Sequence, residues 1–449
     1  MQDKSRTLDG KPQQARRLFL QAGAAAVAGL ATAGKGSSAP LETLAMNGGP
    51  KTVTVSQGVL TSATRWPRYG DKEKQALISM IESGKYYQEL PLFEKEWKEF
   101  TGTPFAKSHI NGTSAETAMF FATFLPPGSE IMVPSHTFFA TVAPMRLFGY
   151  VPVFIDVDPQ TANFDVEYAA KHLTKRTRAL LPVHIQGLPC EMDKISDFAK
   201  KNGLLLLEDA AHAQGASMQG KAMGTWGVMG MTSFQATKAM PGIEGGMGMY
   251  QTREYYERAT AFGHYEAPPT FPADSPYRGY DGTGFGQKFR MHPFAAAVLR
   301  WQLRGLEQLN GVIKRQVRGI NDRLIALPGL SEPRCRPDQT RIYYNGNRLL
   351  FDEQKAGFSK AAAVKALRAE GVSVSVIETL QEQHKFKLYS EAKWWHHAPQ
   401  IPDVLPGDEE LKKRSMSIPL FYEEVPEVVE QYAKAFEKVW AHKAELAKL

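Results

Sequence analysis

Residues 204–215 read LLLLEDAAHAQG: four leucines close on the paired acids Glu208 and Asp209, and His212 follows. An unbroken apolar run without alternation is the pattern of a strand covered on both faces, as in a mostly parallel sheet. Two carboxylates at its end do not belong to that hydrophobic logic. A buried Asp requires a partner, either a structural cation or a ligand. Working outward, similar runs stand at 130–133 (EIMV), 151–156 (VPVFID), 179–185 (ALLPVHI) and 231–235 (MTSFQ). Helical patterns lie between them at 114–125, 137–147, 166–173 and 191–201. Alternation of this kind predicts an α/β fold whose ligands sit at the carboxyl ends of the strands.

Residues 72–83 (KEKQALISMIES) form an amphipathic helix stopped by Gly84, and Phe93 to Phe100 a shorter one. A long helix is expected at 293–327, bent near Gly305 or Gly311. Residues 343–377 read strand–helix–strand, and an amphipathic helix closes the chain at 424–446. The expected organisation is a signal at 1–33, a linker and N-terminal arm at 34–71, a large α/β domain at 72–300, and a long connecting helix with a small C-terminal α+β domain at 301–449.

With 449 residues, 43% hydrophobic and 22% charged, the composition excludes disordered and low-complexity classes. The net charge of +7 includes no Lys/Arg run, so nucleic acid is not an expected partner. Two cysteines, Cys190 and Cys335, make neither a disulfide framework nor a thiolate zinc site, and no metal is expected. Arg16-Arg17, then Phe19-Leu20 and the Ala/Gly-rich stretch to Ala33, have the form of a twin-arginine export signal, with Ala31-Thr32-Ala33 as a small-x-small cleavage site. Residues 1–33 hold five basic and two acidic residues, a net +3, which leaves +4 of the +7 for the remainder. The apparent basicity is largely the signal.

Three further segments join the leucine run at strand ends. Asn111-Gly112-Thr113-Ser114 opens an Ala/Phe-rich helix; it is either a plain N-cap or a phosphate site of free amides and hydroxyls. Pro134 to Thr141 (PSHTFFAT) puts Phe138 after a strand, as a core aromatic or one that stacks on a planar ring. Ser233-Phe234-Gln235-Ala236-Thr237-Lys238, followed by Pro241 to Gly246, offers a Schiff-base lysine framed by glycines. Singly each has a bland reading. In this order they are the parts a pyridoxal phosphate site needs: a lysine, an acid for the pyridine nitrogen, and hydroxyls and amides for the phosphate.

On these motifs the chain resembles the DegT/DnrJ/EryC1/StrS sugar aminotransferases, of the aspartate-aminotransferase fold type I. The resemblance runs from Asn47-Gly48-Gly49-Pro50-Lys51 to Pro419-Leu420. It implies pyridoxal 5′-phosphate as cofactor, Lys238 as the lysine that bonds it and Asp209 as the acid at its ring nitrogen. It makes Phe138 the stacking aromatic and Gly112, Thr113, Ser114 and Ser233 the phosphate cup. It also puts His212 at the cofactor's phenolic oxygen. Where the family commonly has Gly-Tyr-Asn-Tyr-Arg-Met, this chain has Gly286-Gln287-Lys288-Phe289-Arg290-Met291, so Lys288 replaces an Asn that reaches the partner subunit's phosphate.

A second group in the family carries His in place of the lysine and dehydrates sugars; Lys238 argues against that chemistry. The opening Asn-Gly-Gly-Pro-Lys and Arg65-Trp66-Pro67 resemble members acting on keto-cyclitols, and the insert at 264–283 is expected to shape the acceptor pocket. The resemblance thus implies a homodimeric transaminase that moves nitrogen from glutamate or glutamine to a keto-sugar or keto-cyclitol. The export signal implies a periplasmic or other extracytoplasmic location through the twin-arginine translocase. Two alternatives are a dehydratase or epimerase on the same scaffold and an exported sugar-binding relative without activity.

Overall fold

The leucine run becomes the central strand of the large sheet. The computed structural model describes residues 42–376 and 382–449; the expected export signal at 1–33 lies outside them. Seven strands form the large sheet: β1 (Phe105–His109), β2 (Glu130–Pro134), β3 (Val151–Ile155), β4 (Thr177–Leu180), β5 (Leu205–Asp209), β6 (Met229–Ser233) and β7 (Gly246–Tyr250). Their order in space is β1-β7-β6-β5-β4-β2-β3. Neighbours pair in parallel except at β7, which runs antiparallel to β1 and β6. Strands β2, β3, β6 and β7 are buried at every position, which explains why their sequences do not alternate.

Helices α1 (Asp71–Ser83), α2 (Glu89–Thr101), α3 (Gly112–Thr123), α4 (Met192–Lys201), α5 (Arg253–Ala261) and α6 (Pro293–Leu324) accompany this sheet. α3 packs on β6 and β7 and is backed by α5, while α1 and α2 lie along α6. A second sheet, of β8 (Leu330–Ser331), β9 (Asn347–Phe351), β10 (Ser375–Val376) and β11 (Ser415–Ile418), is antiparallel in the order β8-β9-β11-β10. Helices α7 (Lys360–Ala369) and α8 (Pro426–Ala441) share its core, in which Leu349, Phe351, Met416, Ile418 and Phe436 meet Leu44 and Val53 from near the other end of the chain. The buried Glu370 pins that N-terminal segment: it accepts from Ala45 N–H (2.7 Å), Thr52 N–H (3.0 Å) and Lys438 Nζ (3.0 Å).

Three local expectations need correction, and one strand was not expected. The helix expected at 137–147 is two 3-10 pieces, Phe139–Thr141 and Ala143–Phe148, because Pro144 lacks the N–H a continuing helix needs. The strand expected at 179–185 ends at Leu180; Pro182 cannot donate to a ladder, and Val183 makes only an isolated bridge to Asp209. The long helix runs unbroken through Gly305 and Gly311. Strand β7 was not anticipated, since its GMGMY sequence has low β-propensity and is placed by its two neighbours.

Candidate active site

Strand alternation separates the two acids that end β5, since successive side chains point to opposite faces. Glu208 is fully buried and fully met: it accepts from Gly224 N–H (2.9 Å) and Gly227 N–H (2.7 Å), and lies 3.1 Å from His184 Nε2. The Cys190 N–H donates to His184 Nδ1 (3.1 Å), which leaves the ring proton on Nε2 for Glu208. Glu208 is therefore a structural knot. Asp209 is held from one loop on each side. Its Oδ2 accepts from the Thr141 hydroxyl (2.7 Å) and its Oδ1 from the Ala211 N–H (2.9 Å). Neither partner is a cation, and none stands within ion-pair reach of this buried carboxylate among the described residues.

The chain after β6 turns tightly. Gly242 N–H donates to Phe234 O (2.7 Å), Ala236 N–H to Ile243 O (2.9 Å) and Lys238 N–H to Gln235 O (2.8 Å). Ile243 closes this turn at φ 68°, a left-handed conformation that costs a β-branched residue roughly 1–3 kcal/mol. The turn presents Lys238 with no ion pair among the described residues, its Nζ 5.1 Å from the centre of the Tyr344 ring. The same ring meets His212 at 4.5 Å between centroids. His212 Nδ1 is buried without a partner among the described residues. Burial first, then the charges of Lys238 and Arg348, hold its pKa well below the ordinary histidine value, so the imidazole is neutral at neutral pH. Gln214 ties this loop to β6, donating to Thr232 Oγ1 (2.8 Å) and Ser233 O (2.7 Å).

At the start of α3 the Asn111 side chain caps the helix, accepting from Ser114 N–H (2.8 Å) and Ser114 Oγ (2.9 Å). A Cβ on Gly112 would lie 2.7 Å from Ser233 Cβ, so glycine is what lets the helix terminus seat directly on the end of β6. Gly112, Ser114 and Ser233 thus converge, with Thr113 partly exposed beside them. Phe138 heads the 3-10 turn that supplies Thr141; its ring is 46% exposed and leans on Phe139. Lys288 is different. It is exposed, acts electrostatically on Glu266, and makes no hydrogen bond or ion pair with any other candidate.

Thr141, Gln214, Tyr344 and Arg348 escaped the sequence reading as site residues. Thr141 and Gln214 lay inside the segments quoted, but nothing local marks a hydroxyl or amide as a partner. Tyr344 and Arg348 come from the second sheet region and carry no local signal at all. Arg348 is buried on β9 with Nε unpartnered, its pKa pushed down to about 9 by burial and by Arg341.

These residues fit a pyridoxal phosphate. A buried carboxylate lacking a cation suits a protonated ring nitrogen. A helix terminus opened by Gly112 suits a phosphate. Among the described residues, an unpaired lysine follows the adjacent strand β6, and a neutral imidazole with a free Nδ1 follows Asp209 itself.

The model of the DegT/DnrJ/EryC1/StrS aminotransferase family matches residues 67–437. The 3-amino-5-hydroxybenzoate synthase of Amycolatopsis mediterranei (strain S699) is 35% identical over 247 residues, 54% of this chain and 63% of that protein. The L-glutamine:scyllo-inosose aminotransferase of Streptomyces griseus is 28% identical over 422 residues, covering 88% of this chain and 97% of that one. Among solved structures, the aminotransferase from Psychrobacter cryohalolentis superposes with a TM-score of 0.75 at 26% identity, over 85% of this chain and 99% of that one.

Proposed function

The chain belongs to the DegT/DnrJ/EryC1/StrS aminotransferase family of pyridoxal phosphate enzymes, and from that premise we propose that it transfers an amino group from glutamate or glutamine to a keto-cyclitol or keto-sugar. The observation that carries this reading is the pairing of a lysine free of ion pairs, Lys238, with a buried carboxylate free of cations, Asp209, at the ends of adjacent parallel strands. The near full-length similarity to a scyllo-inosose aminotransferase supports a cyclitol acceptor.

When bound, the cofactor supplies an aldehyde for amine exchange and a ring that accepts electrons from the substrate carbon. The chain's own residues do the rest. Asp209, held in place by Thr141 and Ala211, keeps a proton on the ring nitrogen. The α3 terminus at Gly112–Ser114 and the Ser233 hydroxyl bind the phosphate. The Lys238 amine takes a proton from the donor's α-carbon and returns one to the product. The Tyr344 ring, a neighbour of both Lys238 Nζ and His212, limits where that amine can swing. The neutral His212 orients the phenolic oxygen without adding charge, and Phe138 covers one ring face. In a homodimer, Lys288 serves the partner subunit's phosphate.

The decisive experiment supplies a panel of keto-inositols and keto-sugars with nitrogen-labelled glutamate or glutamine. Label appearing in a cyclitol amine supports the reading; loss of water from the acceptor without labelling overturns it in favour of a dehydratase. Export is proposed from the sequence of residues 1–33, in which Arg16-Arg17 precede Phe19-Leu20 and an Ala/Gly-rich stretch. Replacing both arginines with Lys is expected to retain full-length, cofactor-loaded enzyme in the cytoplasm, and undiminished export of that variant would refute the signal.

A further inference from the structure

Helix α3 carries one residue its surroundings do not explain. Ten of its twelve residues are buried, so it has no polar stripe, yet the fifth is Glu116, 1% exposed. Neither carboxyl oxygen has a hydrogen-bond partner among the described residues. An unsatisfied buried carboxyl carries a desolvation cost that an apolar side chain in the same place would not.

Its position gives it a task. Glu116 lies one helical turn after Gly112, on the same face, and helical side chains lean toward the N-terminus. That face meets β6: the Gly112 Cβ position is 3.2 Å from Met231 Cε, and Met231 is the residue in register with Asp209. Glu116 therefore points into the floor between the α3 terminus and Asp209. The charge that acts on it is Asp209. Burial first, then that charge, raises its pKa well above the carboxylate range.

The other ionisable groups on elements packed against α3 are engaged elsewhere. On β1, Lys107 pairs with Glu94, and His109 lies against Tyr250 of β7 and His264. On α5, Arg253 holds Asp274, Glu257 accepts from Ser275, and Arg258 binds Glu254 and Tyr277 and donates to the Ala122 carbonyl (2.8 Å) near the C-terminal end of α3, not to Glu116. Burial raises the phenols of Tyr255 and Tyr256 and keeps them neutral, and Arg146 of the 3-10 turn lies over Trp394. Among the described residues no cation pairs with Glu116.

We propose that Glu116 is a positioning residue for the Asp209 site: an acid that keeps its proton while Asp209 stands without a cation and yields it when a cationic ring nitrogen docks there, coupling cofactor loading to proton release. The physical reason is that two carboxyls sharing one buried corner cannot both ionise cheaply until a positive charge joins them. This inference rests on the cofactor site read above.

The test is calorimetric titration of the full-length apoprotein with pyridoxal phosphate between pH 6 and 9, in buffers of different ionisation heat. Wild type is expected to release a larger fraction of a proton per cofactor than Glu116→Gln, whose side chain cannot ionise. The affinity ratio between them should grow with pH, by up to about tenfold per unit. Glu116→Asp should restore part of the release, and Glu116→Leu stands in where the Gln variant folds poorly. Equal proton counts for wild type and both neutral variants would overturn the proposal. Borohydride trapping in the same samples separates the two ideas. Label on Lys238 with equal proton counts sinks only the role of Glu116, whereas absence of label on Lys238 sinks the cofactor site and this inference with it.

Discussion

Glu208 and Glu116 are both buried carboxyls of the large α/β layer, and the chain surrounds them in opposite ways. Two backbone amides and an imidazole converge on Glu208, and all three come from segments whose course depends on it. Glu116, on the helix that opens the candidate site, receives nothing. Asp209 stands between these extremes, with two neutral donors and no cation. Buried charge that is fully met belongs to the architecture. Buried acid left unmet is a cost the fold bears locally, and such costs gather where a ligand is to complete the set.

That contrast breaks most sharply at the lysine. Lys238→Ala is expected to abolish turnover by four or more powers of ten, roughly the loss seen on removing a covalent catalyst, while the melting temperature stays near wild type. Borohydride reduction and peptide mapping check the assignment, and a label on any other lysine ends it. Next comes Asp209. Its Asn variant should bind cofactor yet lose about two to four powers of ten in turnover, and its Glu variant should retain more activity. An Asn variant as fast as wild type would place Asp209 with Glu208, among the structural acids.

Glu208→Ala tests the other pole. Losing one partner of a buried polar set costs about 3–5 kcal/mol of stability, read as a shifted denaturant midpoint. A shift under about 1 kcal/mol would blur the distinction drawn here. Glu116→Leu should do the reverse and stabilise the apoprotein by about 1–3 kcal/mol. The sign of its pH dependence follows from the raised pKa. Below the ordinary Glu value, about 4.3, the carboxyl is protonated folded or unfolded and adds no pH-dependent cost. As pH climbs toward the raised value, the unfolded chain loses that proton first and wild type loses stability. The gain from Leu should therefore be larger at pH 8 than at pH 5, and parallel stability curves would count against a proton-holding Glu116. The smallest effect is expected at Lys288. Its Ala variant should weaken cofactor affinity severalfold without changing the pH optimum, and an unchanged dissociation constant would make it an ordinary surface lysine.

Read alone, residues 204–238 already announced a buried strand, an acid at its end and a lysine after the next strand, because strand periodicity and burial are written locally in residue type. The α3 terminus at Asn111–Ser114 was legible for the same reason: capping is a property of four consecutive residues. What the sequence could not determine was which buried acid is structural. Glu208 and Asp209 are neighbours with like chemistry, and only the pleat and the approach of Gly224, Gly227 and His184 on one side and Thr141 on the other tell them apart. Nor could it foresee Tyr344 beside Lys238, more than a hundred positions away, or the antiparallel β7, which owes its form to two neighbours rather than to its own residues. Local propensity acts over a few residues, whereas the partner of a buried polar group is chosen by the close packing of distant segments, and that choice exists only once the chain has folded.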